Sequence, residues 1–330
     1  MANDFLPFAG DAGANVLTQS AYAALGARTT GFLAGVAKSP ELNKVWRQSS
    51  IMAASLAQAV ADITGSDMID NGTTAAIVAA IKNMMKLQAN STTIGPSGEK
   101  MSTLAASASA TFTADEVIVK TSLGGVAYVI PNVNKTINLA TVGLGGMDVG
   151  AAPVNGFVSI YLVYNPTTGV HGLLACAGTT SDGPVYTGAN MPAGFTASAL
   201  VSSWGTNASR LLVIAHQSNR LVSLMQNEAI NTTVQQPLLQ PITLTTVPPN
   251  AKSVLGWTGV TSSGTGLNKM MVASRADGLG WSQCTISGAT NTDNAFRELS
   301  LITPRTIYYS VTVSTGSLVS ATVSVTGYRF

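Results

Sequence analysis

The chain is 330 residues long, 46% hydrophobic and only 10% charged, with a formal net charge of +2. It holds no cluster of Lys and Arg of the kind a phosphate backbone needs, so composition excludes nucleic acid and acidic membrane as partners. Of its 17 Lys and Arg and 15 Asp and Glu, 14 fall in the first hundred residues and 18 in all the rest.

A soluble surface ordinarily carries roughly a quarter charged residues. A long body with about a third of that density must cover itself in another way, and self-association, each copy shielding its neighbour's apolar flank, is the simplest. The mean hydropathy is +0.29. The longest apolar candidate, residues 51–61, is nevertheless only about half the ~20 residues a bilayer requires, and it contains Ser55 and Gln58. The start, MANDFLPFAG, places Asp4 and Pro7 where a signal peptide needs a basic start and an apolar core, so secretion through such a leader is not expected.

Residues 4–15 combine Gly and Ala with Phe5, Leu6 and Phe8, and Val16 follows; this suits an extended arm laid on another surface better than a free helix. A short helix is expected from 18 to about 26. Ser39-Pro40-Glu41 is a strong helix start: a capping hydroxyl, a proline in the first turn and an acid facing the positive helix end. Leu42, Val45, Trp46, Met52, Leu56, Val60 and Ile63 then recur at helical spacing until Gly65. A third helix is expected over 73–88, with Ile77, Ile81 and Met84 on one side and Val78 and Met85 widening the stripe, so that it makes contact on two sides. Residues 90–98 are linker chemistry, rich in Ser, Thr, Gly and Pro.

Beyond the linker the apolar period changes from 3.6 to 2. Residues 157–164 and 170–177 pair as a hairpin around Asn165-Pro166-Thr167-Thr168-Gly169, and residues 211–216 and 221–225 repeat the pattern around Ser218-Asn219. Pro237, Pro241, Pro248 and Pro249 mark a second boundary. Ile307, Tyr309, Val311 and Val313, a turn over 314–317, then Val319, Ala321, Val323 and Val325 give the cleanest alternation, which predicts an antiparallel hairpin. No repeat of fixed period appears, against a β-helix or a propeller. The fold class is therefore α+β and multidomain: a helical region over 1–90, a linker over 91–100, a β domain over 101–236, a Pro-rich connection over 237–250 and a final β domain over 251–330.

Signs of catalysis are few. The run Gly143-Leu144-Gly145-Gly146 lacks the Lys of a phosphate loop, and Gly280-Trp281-Ser282-Gln283-Cys284 has Cys284 where a nucleophile elbow needs a second Gly. His171 and His216 have no acid close in sequence, Asp67, Asp70 and Asn71 read as a turn between helices, and Cys176 and Cys284 read as free thiols without metal spacing. No metal and no cofactor is expected, and no catalytic residue is assigned. Binding is the better reading of the last domain. Trp257 and Trp281 lie in Gly- and Ser-rich surroundings with Arg275, Asp277, Asn291 and Asp293 nearby, and sugars are held by an aromatic platform with planar hydrogen-bonding side chains. These six are the candidate receptor-binding residues.

The stretch from Asn3 onward, with Phe5-Leu6-Pro7-Phe8, Gly13-Ala14-Asn15-Val16, Leu42-Asn43-Lys44 and Trp46-Arg47-Gln48-Ser49, resembles the amino-terminal region of tail fibre proteins from tailed bacteriophages of Gram-negative bacteria. The likeness covers residues 3 to about 85 and returns through GGMDVGAAPVNGFVSIYLVYNPTTGVHGLLA and GANMPAGFTASALVS to about residue 225. The resemblance implies a virion protein of the tail, a homotrimer assembled in the host cytoplasm, whose head joins the tail tip or baseplate and whose far end meets a glycan, lipopolysaccharide or pilus. Phe5, Leu6, Phe8, Asn15 and Val16 are then the candidate virion-attachment residues. Host adhesion without enzymatic activity is the expected function. The alternatives are a tailspike-like polysaccharide depolymerase and a purely structural tail-tip subunit.

Overall fold

The computed structural model describes residues 2–89 and 94–330. It consists mostly of antiparallel β sheet with a few helices, and it divides into two compact units, 1–91 and 92–330.

The first unit holds α1 (Gln19–Ala23), α2 (Ala27–Thr30), α3 (Ser39–Thr64) and α4 (Ala75–Ala89). Thr18 caps α1 through its hydroxyl, which accepts from the Ala21 amide. The long α3 begins one residue earlier than the capping motif implies. Lys38 occupies the cap without a side-chain bond and Ser39 is already helical, while Pro40 sits in the first turn and Glu41 pairs with Lys38 at 3.5 Å. Gly65 ends the helix at φ 72° and donates to the Ala61 carbonyl. The face of α3 that is buried is not the long-chain stripe but Ala54, Ala57, Val60 and Ala61, whose small side chains let α4 approach closely through Ala80, Ile77, Ile81 and Met84. Trp46, Met52 and Leu56 remain 52%, 70% and 48% exposed.

The leader, expected as an extended arm laid on another surface, instead packs on the helices of its own chain. It lies along its own unit: the Asp4 amide donates to the Met68 carbonyl, the Met68 amide to Ala2, and the Phe8 amide to the Ser50 hydroxyl, with Phe8 edge-on to Trp46 at 5.7 Å.

In the second unit the first strand, β1 (Gly95–Ser97), pairs with β3 (Ser109–Lys120), and β2 (Lys100–Thr103) joins β3 to β8 (Ala215–Ser218). Residues 95–100, expected in a linker, are thus largely strand; residues 90–93 lie outside the described residues. Next come β4 (Ala127–Asn138), β5 (Phe157–Tyr164), β6 (His171–Ala177), β7 (Ala197–Gly205), β8 (Ala215–Ser218), β9 (Leu221–Thr232) and β10 (Gln236–Thr243). After them run β11 (Ser253–Ser262), β12 (Asn268–Ala273), β13 (Ser282–Ile286), β14 (Asn291–Ser300), β15 (Thr306–Val313) and β16 (Leu318–Arg329). The large sheet runs β14-β11-β16-β9-β8-β2-β3-β7-β5-β6, with β1 and β4 both on β3; the small sheet runs β10-β15-β12-β13.

The hairpin β5–β6 forms as its sequence predicts. Tyr164 faces His171, and the Asn165 side chain accepts from the amides of Thr167 and Thr168 to hold the turn. β5 is buried over seven of its eight residues, which is why it reads as apolar on both faces. The open flank of β6 is covered by the turn at 143–147, where the amide of Gly145 donates to Leu173 and that of Ala175 to Gly146.

Three expectations are corrected here. The alternation at 307–325 is not a hairpin: β15 belongs to the small sheet, between β10 and β12, and β16 to the large sheet, between β9 and β11. A period of 2 shows which residues share a face, not which strand is the partner. The Pro-rich connection is in part β10, and it tolerates Pro237 and Pro241 because it is an edge strand. Finally, no break separates 101–236 from 251–330. β9 pairs with β16, one apolar core spans both segments, and the buried Tyr328 hydroxyl donates to the Ser203 carbonyl at 2.7 Å.

Two crossings between the sheets, β11 to β12 and β15 to β16, run side by side. The Ser263 amide donates to the Ser317 carbonyl, the Ser317 amide to the Ser263 hydroxyl, and the Gly266 amide to the Thr315 hydroxyl. The crossing is so tight that a Cβ on Gly316, at φ 70°, would lie 2.6 Å from the Gly264 amide nitrogen. Gly316→Ala is expected to lower the unfolding free energy by about 2 kcal/mol, read by urea denaturation, from left-handed strain and the displaced neighbour. In calorimetry of the unsubstituted chain, residues 92–330 are expected to unfold in one transition rather than two.

Candidate functional site

Along β11 burial alternates: Thr258 and Val260 point into the core, while Trp257, Gly259 and Thr261 are half-buried on the outer face. Register then decides what stands beside them. On one side Gly259 faces Asp293 and Thr261 faces Asn291; on the other, Gly259 faces Thr322 and Thr261 faces Ser320. The result is a cleft of about 420 Å³ lined by Trp257, Gly259, Asn291, Asp293, Ser320 and Thr322. A Cβ on Gly259 would lie 2.8 Å from the Trp257 ring, so the indole leans over this glycine and only hydrogen fits beneath it. Neither Trp257 nor Trp281 belongs to the buried core.

Three of the six predicted receptor residues, Trp257, Asn291 and Asp293, are thereby brought into one cleft. The other three, Arg275, Asp277 and Trp281, stand in the β12–β13 connection, which belongs to the small sheet. There Arg275 Nε donates to Asp277 Oδ1 at 2.9 Å, and a second guanidinium nitrogen pairs with Oδ2. The Arg275 hydrogen bonds hold the Asp277 carboxyl at a pKa of about 2. Asp277 also accepts the Leu279 amide, so the pair shapes its own loop and leaves Trp281, 60% exposed, as that loop's outward group. The acidic residue free to meet a ligand's hydroxyls is Asp293.

Of the predicted attachment residues, Phe5 packs on the helical core and Asn15 accepts the Asn43 amide through its carbonyl, while Leu6 is 74% and Phe8 46% exposed and Val16 is half-buried.

The carboxylates beside Cys176 are hydrogen-bonded within the chain. Asp182 accepts from the Ser159 hydroxyl and the Thr179 amide, and Asp148 accepts from the Tyr186 hydroxyl at 2.7 Å. Burial, with both carboxylates adding to it, pushes the Cys176 thiol up to about 12. Cys284 is raised too, chiefly by burial. His171 is lowered by burial, with Lys135 adding to the effect. His216 meets Ser102 Oγ at 2.6 Å across β2 and β8. Among the described residues no three His, Cys, Asp or Glu side chains gather as a metal site would require, and no helix is long and apolar enough to cross a membrane.

Sequence reasoning missed a second cleft of about 540 Å³, lined by Phe157, Val213, Ile214, Leu224 and Met225. Met225 was visible as the end of an apolar run, and it is 70% exposed; the distance in sequence from Phe157 hid the rest.

No family model matches the chain, and no curated protein matches it. Among solved structures, it matches a chain of the Cowpea mosaic virus top component, described as naturally occurring empty particles, at 8% identity and a TM-score of 0.22, over 54% of this chain and 74% of that one. A likeness at that level carries no argument about fold or function.

The thiols provide a test of the packing. With Cys176 near 12 instead of its usual 9, its thiolate population at pH 8 is about a thousandfold smaller than that of an open cysteine. A thiol reagent is therefore expected to label Cys176 at least a hundredfold more slowly in the folded chain than in urea, and its rate is expected to keep rising with pH beyond 9.

Proposed function

We propose that the chain is a tail fibre or receptor-binding protein of a tailed bacteriophage, a homotrimer in which residues 1–91 serve attachment to the tail and the β unit displays a site for a glycan on the bacterial surface. The observation that carries the adhesive part is the juxtaposition of Trp257 with Asn291 and Asp293 in one cleft on an outer sheet face. A sugar ring offers an apolar C–H face and a rim of hydroxyls. An indole ring suits the first, and an amide and a carboxylate suit the second. Ser320 and Thr322 add short hydroxyls that bond without blocking the cleft.

The assignment to a virion rests on the resemblance of residues 3 to about 85, and of the middle motifs from about 145 to about 225, to phage tail fibres. Low charge in the β body agrees with it, since a surface poor in Lys and Glu is suited to being covered by copies of itself. Three weak sites carried on one particle component would bind a densely displayed polysaccharide far more tightly than any one site alone.

Adsorption of the labelled chain to susceptible Gram-negative cells tests the reading, with the purified surface polysaccharide as competitor. Trp257→Ala is expected to reduce adsorption at least tenfold with unfolding unchanged, and a chain shortened to residues 92–330 is expected to keep specific adsorption that the polysaccharide competes away. Adsorption by Trp257→Ala equal to that of the parent would rule out this cleft as the receptor site.

A further inference from the structure

The exposed stripe of α3 has a period of its own. Leu42, Ser49, Leu56 and Ile63 recur every seven residues, and Val45, Met52 and Ala59 fall three residues after each of the first three, the spacing of the a and d positions of a coiled coil. This seam lies roughly 150° round the helix from Ala54, Ala57 and Ala61, the face that is buried. It is open at its centre: Ser49 and Ala59 are exposed, and Met52 is 70% and Leu56 48% exposed.

We infer that this seam is the surface through which three copies of the chain associate, as a parallel, in-register coiled coil of their α3 helices. The period is the first argument. A straight helix drifts by roughly 20° per heptad from a 3.5-residue repeat, so a seam kept for three heptads fits a supercoiled partner with the same repeat, which another copy of α3 supplies. Charge is the second. The flanking positions between 46 and 55 are Trp46, Gln48, Ala53 and Ser55, so copies aligned in parallel bring no like charges together. The number three follows from the homotrimer proposed above, on which this inference rests; Leu42 and Leu56 at a with Val45 at d depart from the β-branched-a, Leu-d order of two-stranded coils and suit three or four strands. Ser49, polar at an a position, fixes the register at a cost in stability. The Ala layer at 59 lets the helices close together below Leu56.

Single cysteines read this geometry in the full chain. Met52→Cys and Leu56→Cys are expected to form disulfide-linked pairs under mild oxidation at least tenfold faster than Ile51→Cys, which faces away from the seam on the same helix, with the unsubstituted chain as the blank. Because a threefold bundle holds three thiols per layer and a disulfide uses two, linkage is expected to stop near two thirds of the chains. Linking at 52 and 56 no faster than at 51 would overturn the seam, and linkage running to completion would overturn the threefold bundle. Either result leaves the adsorption of the β unit to glycan as a separate question.

Discussion

The large sheet depends on how its last strand is delivered. β15 and β16 are neighbours in sequence, yet they part at residues 314–317 so that β16 can enter between β9 and β11. That insertion joins strands from before and after residue 250 into one unit, and it buries Val323, Val325 and Tyr328 completely. The parting is possible because the neighbouring crossing at 263–266 supplies hydroxyls and glycines where the two chains touch. Remove that contact and β16 loses its route to the centre, and the cleft beside Trp257 loses the wall formed by Ser320 and Thr322.

Much of this was legible in the sequence, and what was not has a physical reason. The boundaries of α3 followed from Pro40, Glu41 and Gly65, and the β5–β6 hairpin from an Asn-initiated turn between two apolar runs. These signals are local: the chemistry acts within a few residues of where it is written. The split of β15 from β16 was not legible, because the alternation of Ile307 to Val325 is the same whether the strands pair with each other or with others. Trp257 was named as a candidate ligand-binding residue and lies half-buried outside the core, but its company was only half foreseen. Asn291 and Asp293 come from 34 and 36 positions away through strand register, whereas Arg275 and Trp281, closer in sequence, went to the other sheet. The Arg275–Asp277 bond, by contrast, is local and turns two apparent ligand-binding groups into a brace for their own loop.

The two units share a shortage of cover. In the first, five buried side chains form the core among the described residues, while long apolar groups on α3 and in the loop around Leu33 and Val36 stay exposed. In the second, charged residues are too sparse to form the usual solvated coat. The homotrimer proposed here would resolve both through water-free contacts between copies, because apolar area removed from water contributes about 25 cal/mol per Å² and costs no charge desolvation.

That claim, that the chain hides its apolar surface against copies of itself, is tested most directly by the mass of the purified full-length protein in solution. Sedimentation equilibrium at low micromolar concentration is predicted to give three times the 33.7 kDa of one chain. A folded, soluble species of 33.7 kDa that persists over the whole concentration range would contradict it.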